Sequence, residues 1–275
     1  MKVSILICTY NAEQFVAEAI QSALKQTYKD FELIIVNDGS VDKTLEICQS
    51  FNDCRIKIVT RKHGYIASLN AGLRQCRGEY IARMDADDIM EPNRLKVQVE
   101  TLDSSPDVAV CSSWAQTIGE KEMLVGNYVS GKIEKITLLF LNGNFIIHST
   151  TMIRRSFLIK HRVQYKNYPF AEDFKLWVDI AQKGGAFYIL PNTLIHYRLS
   201  MGQTTRLHWS EQEMTRVRIQ QEIIEEELQR IPLKYKKTVQ KLYFNLLSIY
   251  RIKLLTAENV IKLMSLVLNN RLIDN

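Results

Sequence analysis

The chain has 275 residues, 46% apolar and 24% charged, the composition of a globular protein with a real core and not of a disordered one. No stretch approaches the ~18 apolar residues of a membrane span, the apolar start is too short for a signal peptide, and the five scattered cysteines lack zinc or disulfide spacing, so the sequence predicts a cytoplasmic protein. Its net charge of +6 is uneven: from Arg230 onward nine Lys/Arg face two acidic residues, which leaves the first 229 residues at about −1.

Residues 2–8 form an apolar, β-rich run that ends in Thr9-Tyr10-Asn11. Residues 12–26 then repeat Phe15, Val16, Ala19, Ile20, Ala23 and Leu24 at helical spacing. A second strand over 31–36 closes in Asn37-Asp38-Gly39-Ser40, a turn signal. A helix over 42–51, a strand over 55–60, a helix over 66–76 and a strand over 79–84 follow, the last running into Asp85-Ala86-Asp87-Asp88. Such alternation predicts βαβ units and a parallel sheet. Ligands bind beyond the carboxyl ends of such strands, where three polar clusters converge.

Pro92 suits the start of a helix carrying Leu95, Val99 and Leu102. Strands are expected over 108–112, 122–129, 150–154 and 186–190, the last ending before Pro191, and helices over 133–141 and 172–183. Beyond about Gln203 the character changes to three helices. The first is announced by Ser210 and Glu213 at capping-box spacing, and Pro232 separates it from the second. The predicted domains are therefore 1–203 and a helical extension, 204–275.

Asp85-Ala86-Asp87 at a strand end is the most informative short motif. Clustered carboxylates repel unless a cation or hydrogen-bond donors intervene, and hard oxygen ligands suit Mg²⁺ or Mn²⁺. An acidic turn capping the next helix satisfies the spacing equally well. Gly126 to Lys132 has P-loop glycine and lysine spacing, but Ile133 replaces the Ser/Thr that holds Mg²⁺, which excludes an ATPase.

Four blocks then carry a resemblance: Val3-Ser4-Ile5-Leu6-Ile7-Cys8-Thr9-Tyr10-Asn11, Ile34-Ile35-Val36-Asn37-Asp38-Gly39-Ser40, Gly64-Tyr65-Ile66-Ala67-Ser68-Leu69-Asn70, and Gly78 through Asp88. In order and spacing they resemble family 2 glycosyltransferases of the GT-A fold, and the likeness continues through Ala171-Glu172-Asp173-Phe174-Lys175-Leu176-Trp177 to Tyr197-Arg198. It covers roughly the first 200 residues.

The resemblance implies an α/β GT-A fold with a mostly parallel sheet, followed by the helical appendage. It implies transfer of a sugar from a nucleotide-sugar, a UDP-sugar by the residues around Asp38, to a glycan or lipid-linked acceptor with inversion. Thr9, Tyr10, Glu13, Asp38, Gly64, Asn70, Arg83 and Asp85 are the implied nucleotide-binding residues, although Asn70 reads equally as a packing residue. Asp87 is the implied ligand for Mn²⁺ or Mg²⁺, with Asp88 behind it and His196 as a further candidate. Asp173 is the implied general base, and Glu172, Trp177 and His148 the implied acceptor side; helix capping is the alternative for Glu172 and Asp173.

Two other functions compete: a nucleotide-sugar-binding protein without turnover, and a sugar nucleotidyltransferase, whose glycine-rich loop is missing after the first strand. The basic tail predicts peripheral contact with an anionic membrane on its inner face, and its apolar faces are open to pairing two chains. No recognition motif for nucleic acid accompanies the charge.

Overall fold

A computed structural model describes residues 1–126, 129–134, 136–199, 207–251 and 256–269. Its first half alternates as read from the sequence: β1 (Val3–Thr9), α1 (Val16–Leu24), β2 (Phe31–Asn37), α2 (Thr44–Ser50), β3 (Ile56–Thr60), α3 (Tyr65–Gln75) and β4 (Tyr80–Asp85). Next come β5 (Ile89–Met90), α4 (Arg94–Asp103), β6 (Val108–Gly119), β7 (Leu124–Val125), β8 (Gly131–Ile133), β9 (Met152–Arg154), α5 (Arg155–His161), α6 (Glu172–Gln182) and β10 (Ala186–Leu199). The chain closes with α7 (Trp209–Arg230), α8 (Leu233–Arg251) and α9 (Ala257–Asn269).

One sheet runs in the order β3-β2-β1-β4-β9-β6-β10-β5, with β7 on β6 and β8 on β10. The pairs β1/β2, β1/β4, β2/β3 and β6/β10 are parallel, while β9 lies antiparallel between β4 and β6. Both faces are covered, which is why β1 and β2 are continuous apolar runs. Val3, Ile5 and Ile7 enter a core with α1 and α4, whereas Leu6 and Cys8 enter one with α3 and α6. The second core continues into Ile219, Ile223, Tyr243 and Met264, so the C-terminal helices share it.

Local departures from the sequence reading have physical causes. Pro191 does not end its strand, because register shifts around Leu190 and Thr193 let β10 pass a residue without an amide hydrogen. Residues 133–141 shorten to a 3-10 turn at Thr137–Asn142. Ser210 is no cap: α7 begins one residue earlier, after His208 and without a side-chain cap, and Glu213 pairs with Arg216 instead. The P-loop-like segment includes β8, and Lys132 pairs with Asp107 and Glu134. Part of the strand expected over 122–129 lies outside the described residues.

A buried polar pillar joins α4 to the centre of the sheet. The Arg94 guanidinium donates to the carbonyls of Arg83 (2.8 Å) and Thr151 (3.0 Å), and Gln98 donates to those of Thr150 (2.7 Å) and Cys111 (3.2 Å). Gln98 also accepts from Arg94 Nε at 3.0 Å. Orphaning such groups costs about 1–3 kcal/mol. Gln98→Ala is therefore expected to lower urea-unfolding stability by about that amount, through the carbonyls it leaves unpaired.

Candidate active site

The parallel register sets the site. Thr9 lies opposite Asn37 and Cys8 opposite Asp85, so the polar residues after β1, β2 and β4 meet at one sheet edge. Asn11 turns the chain there with φ 46°, its amide N–H donating to Ser40 Oγ and its side-chain oxygen accepting from the Val41 amide. Gly39 takes φ +75°, and a Cβ there would sit 2.8 Å from the His63 nitrogen. Only glycine fits both constraints.

Asp38 is 1% exposed. Its Oδ1 accepts from the Gly64 amide (2.8 Å) and Ser68 Oγ (2.5 Å), locking the start of α3 to the end of β2. Its Oδ2 has no hydrogen-bond donor of good geometry and lies 3.0 Å from His63 Nδ1. The His63 ring stacks on exposed Tyr10 at 4.2 Å between centroids. Thr9 Oγ1 is also buried and unpaired. Glu13 accepts from the Lys43 amide, bracing the start of α2.

At the end of β4, Arg83 is 1% exposed and pairs with Asp85 at 2.5 Å. It also donates to Tyr65 Oη at 3.1 Å. Two residues on, burial and then the charge of Asp85 raise the Asp87 carboxyl to about 6. Asp88 is fully buried; its Oδ1 accepts from the Arg198 amide, its Oδ2 has no partner, and burial pushes its pKa well up. Arg198 also donates to the Asp87 carbonyl (2.8 Å) and pairs with Glu18.

The start of α6 faces the same charges. Asp173 accepts from the Phe174 amide (2.6 Å) and the Asn144 side chain (3.0 Å). Burial raises its carboxyl to about 6 against the pull of those two donors. Burial and then Asp173 raise neighbouring Glu172 to about 8. Asp85 contributes repulsion at both, so the two strand-end and helix-end carboxylates sense one another.

Other expected site residues have structural partners. Asn70 exchanges two hydrogen bonds with the Tyr165 backbone, its packing role. His148 Nε2 lies 2.7 Å from Tyr165 Oη, and burial followed by Arg83 pushes its pKa well down, so the ring is neutral. His196 Nε2 lies 2.5 Å from Glu91 Oε1, a partner for one of its two ring nitrogens. Trp177, expected on the acceptor side, is instead core: it is 0% exposed and packs edge-on to His148 and Phe187. Gly202, Gln203 and Thr204, for which the resemblance implies a place near the acceptor, lie outside the described residues.

His63, Tyr65, Asn144 and Tyr165 escaped the sequence reading. His63 adjoins Gly64 and Tyr65 follows it, and that adjacency is a legible signal. Asn144 and Tyr165 join through tertiary contacts, with no local pattern to mark them.

Among the described residues no group of three or more His, Cys, Asp or Glu forms a ready-made metal cage. The donor set nevertheless fits a hard cation: Asp87 is destabilised as an anion by Asp85, and such ions take one or two carboxylates with phosphate and water completing the shell.

The model of glycosyl transferase family 2 matches residues 4–162. An uncharacterized glycosyltransferase of Haemophilus influenzae is 38% identical over 251 residues, covering 85% of this chain and 76% of the relative. Escherichia coli WfgD, named UDP-Glc:alpha-D-GlcNAc-diphosphoundecaprenol beta-1,3-glucosyltransferase, is 32% identical over 185 residues, 65% of this chain and 69% of WfgD. Two solved structures share the fold. S. aureus TarS 1-349 in complex with UDP-GlcNAc has TM-score 0.67 and 21% identity, covering 82% of this chain and 66% of that one. A Pyrobaculum calidifontis mannosyltransferase in complex with GDP-Man and Mn²⁺ has TM-score 0.62 and 18% identity, covering 82% and 64%.

The Trp177 indole N–H has no partner, so its contribution is packing. Trp177→Phe is expected to keep most of the stability, while Trp177→Ala loses about 3–5 kcal/mol in urea unfolding.

Proposed function

The chain belongs to glycosyl transferase family 2, and on that premise we propose that it is an inverting, metal-dependent glycosyltransferase. By this reading it moves a sugar from a nucleotide-sugar, a UDP-sugar, to a hydroxyl of a glycan or lipid-linked acceptor in the cytoplasm. Residues 1–203 would be the catalytic domain and 204–275 a helical extension. One observation carries the proposal: Asp38, the Arg83–Asp85 pair and Asp87 come to one sheet edge, and Arg83 and Asp85 act electrostatically on the Asp87 carboxyl and on that of Asp173 at the start of α6.

Each group has a task that its surroundings support. Asp38 spends Oδ1 on the chain and leaves Oδ2 for an N–H of the nucleotide base, with the exposed Tyr10 ring beside it for stacking. UDP is favoured by the resemblance around Asp38, by WfgD, which is named for UDP-Glc, and by the TarS complex with UDP-GlcNAc. Arg83 and Asp85 face the ribose and diphosphate. Asp87, with Asp85 beside it, would hold Mn²⁺ or Mg²⁺, which when bound neutralises charge on the departing diphosphate.

Asp173 takes the proton from the acceptor hydroxyl. The hydroxyl oxygen forms its bond to the anomeric carbon as the bond to the diphosphate oxygen breaks on the opposite face, which inverts the configuration. Its raised pKa near 6 makes Asp173 a better base than an exposed carboxylate while leaving it ionised at pH 7. Glu172, held higher at about 8, is protonated there and able to donate a hydrogen bond to the acceptor.

A panel of UDP-, GDP- and dTDP-sugars with Mn²⁺, Mg²⁺ or EDTA tests this reading. Metal-dependent binding of one donor is expected, lost in Asp87→Ala. Asp173→Asn should cut turnover by about 10²–10⁴-fold while donor affinity is unchanged. No nucleotide-sugar binding under any metal condition would refute the assignment.

The pH profile gives a second check. Asp173 works only when ionised, so kcat/KM should fall about tenfold per pH unit below about 6 and level off above it. An activity that rises as pH drops through 6 would exclude Asp173 as the base.

A further inference from the structure

Exposed apolar side chains and unbalanced positive charge coincide on the last helices. In α8, Val239, Tyr243 and Leu246 recur at helical spacing and are buried. Leu233, Lys237, Lys241 and Phe244 recur along another face, and all are exposed, Leu233 by 87% and Phe244 by 63%. That stripe spans about 16 Å of helix from Leu233 to Phe244. In α9, Leu263 and Leu266 are exposed by 41% and 65%, while Val260, Ile261 and Met264 are buried. From Arg230 onward the chain carries nine basic and two acidic residues.

We infer that this surface docks on an anionic lipid bilayer. Leu233 and Phe244 enter the headgroup boundary, and Lys237 and Lys241 lie against lipid phosphates. The charge distribution favours this occupant over a second copy of the chain, since two surfaces of like sign repel. Large apolar side chains within the stripe favour lipid over duplex nucleic acid, whose outer surface is lined by phosphates. No helix among the described residues is long and apolar enough to cross a membrane, so the contact is peripheral. The rest of the chain is near neutral, and attraction therefore orients the molecule tail-first.

The test is flotation of the full chain with vesicles of phosphatidylglycerol and phosphatidylcholine, against vesicles of phosphatidylcholine alone. Binding is expected only to the anionic vesicles, with most of it lost at ~500 mM salt. Leu233→Ser with Phe244→Ser, and separately Lys237→Glu with Lys241→Glu, should each weaken binding about tenfold. Lys237→Arg with Lys241→Arg should retain it. Donor hydrolysis and thermal melting without vesicles should not change in any variant, so failure of docking is distinguishable from misfolding and from failure of the proposed reaction. Equal binding to neutral vesicles, or binding that none of the charge or apolar variants alters, would overturn the inference. So would light scattering that shows a dimer dissolved by the same variants, or a DNA fragment held as tightly as the anionic vesicles.

Discussion

The site depends on a guanidinium taken almost wholly out of water. Arg83 sits at the carboxyl end of β4, 1% exposed, with its charge against Asp85 and its backbone inside the sheet. A buried charge is tolerable only when paired, and this one is answered from several elements. Its field favours the ionised forms of Asp87, Glu172 and Asp173 while disfavouring protonation of His148. Arg94 holds the Arg83 carbonyl from beneath, so the orientation of the pair is set by α4 as well as by the sheet.

One guanidinium does not balance the carboxylates around it. Burial raises the pKa of Asp87, Asp88, Glu172 and Asp173, and at the first three a neighbouring carboxylate raises it further. Under the proposed reading, a divalent cation arriving with a diphosphate would relieve this repulsion, and this is the physical reason for building the donor site from mutually repelling acids. The neutral His148, half-buried against Tyr165, adds no charge there.

The C-terminal helices also bear on the site. Lys175 of α6 pairs with Glu222 of α7 and with Asp179, and Gln220 of α7 donates to the Leu141 carbonyl. Ile219, Ile223 and Tyr243 complete the core that contains Phe140, Phe174 and Trp177. The helix that begins with Glu172 and Asp173 is thus braced from behind by the tail. A region with a distinct composition is, in packing, continuous with the domain it follows.

By itself the sequence determined the alternation of strands and helices, the two-sided burial of β1 and β2, and the positions of the polar clusters at strand ends. These follow from local periodicity and turn chemistry, which a single segment carries within itself. The acidic run after β4 was legible for the same reason, while Glu172-Asp173 stood out from a helix cap only through the resemblance. Tertiary structure decided which side chains remain available. Trp177, implied on the acceptor side, is committed to the core, while His148 pairs with Tyr165 and His196 Nε2 with Glu91. Tyr165, 95 residues from Asn70, and Asn144, 29 from Asp173, become neighbours only when the chain closes. Burial, and pairings such as these, are properties of that closure, and no short window of sequence contains both partners.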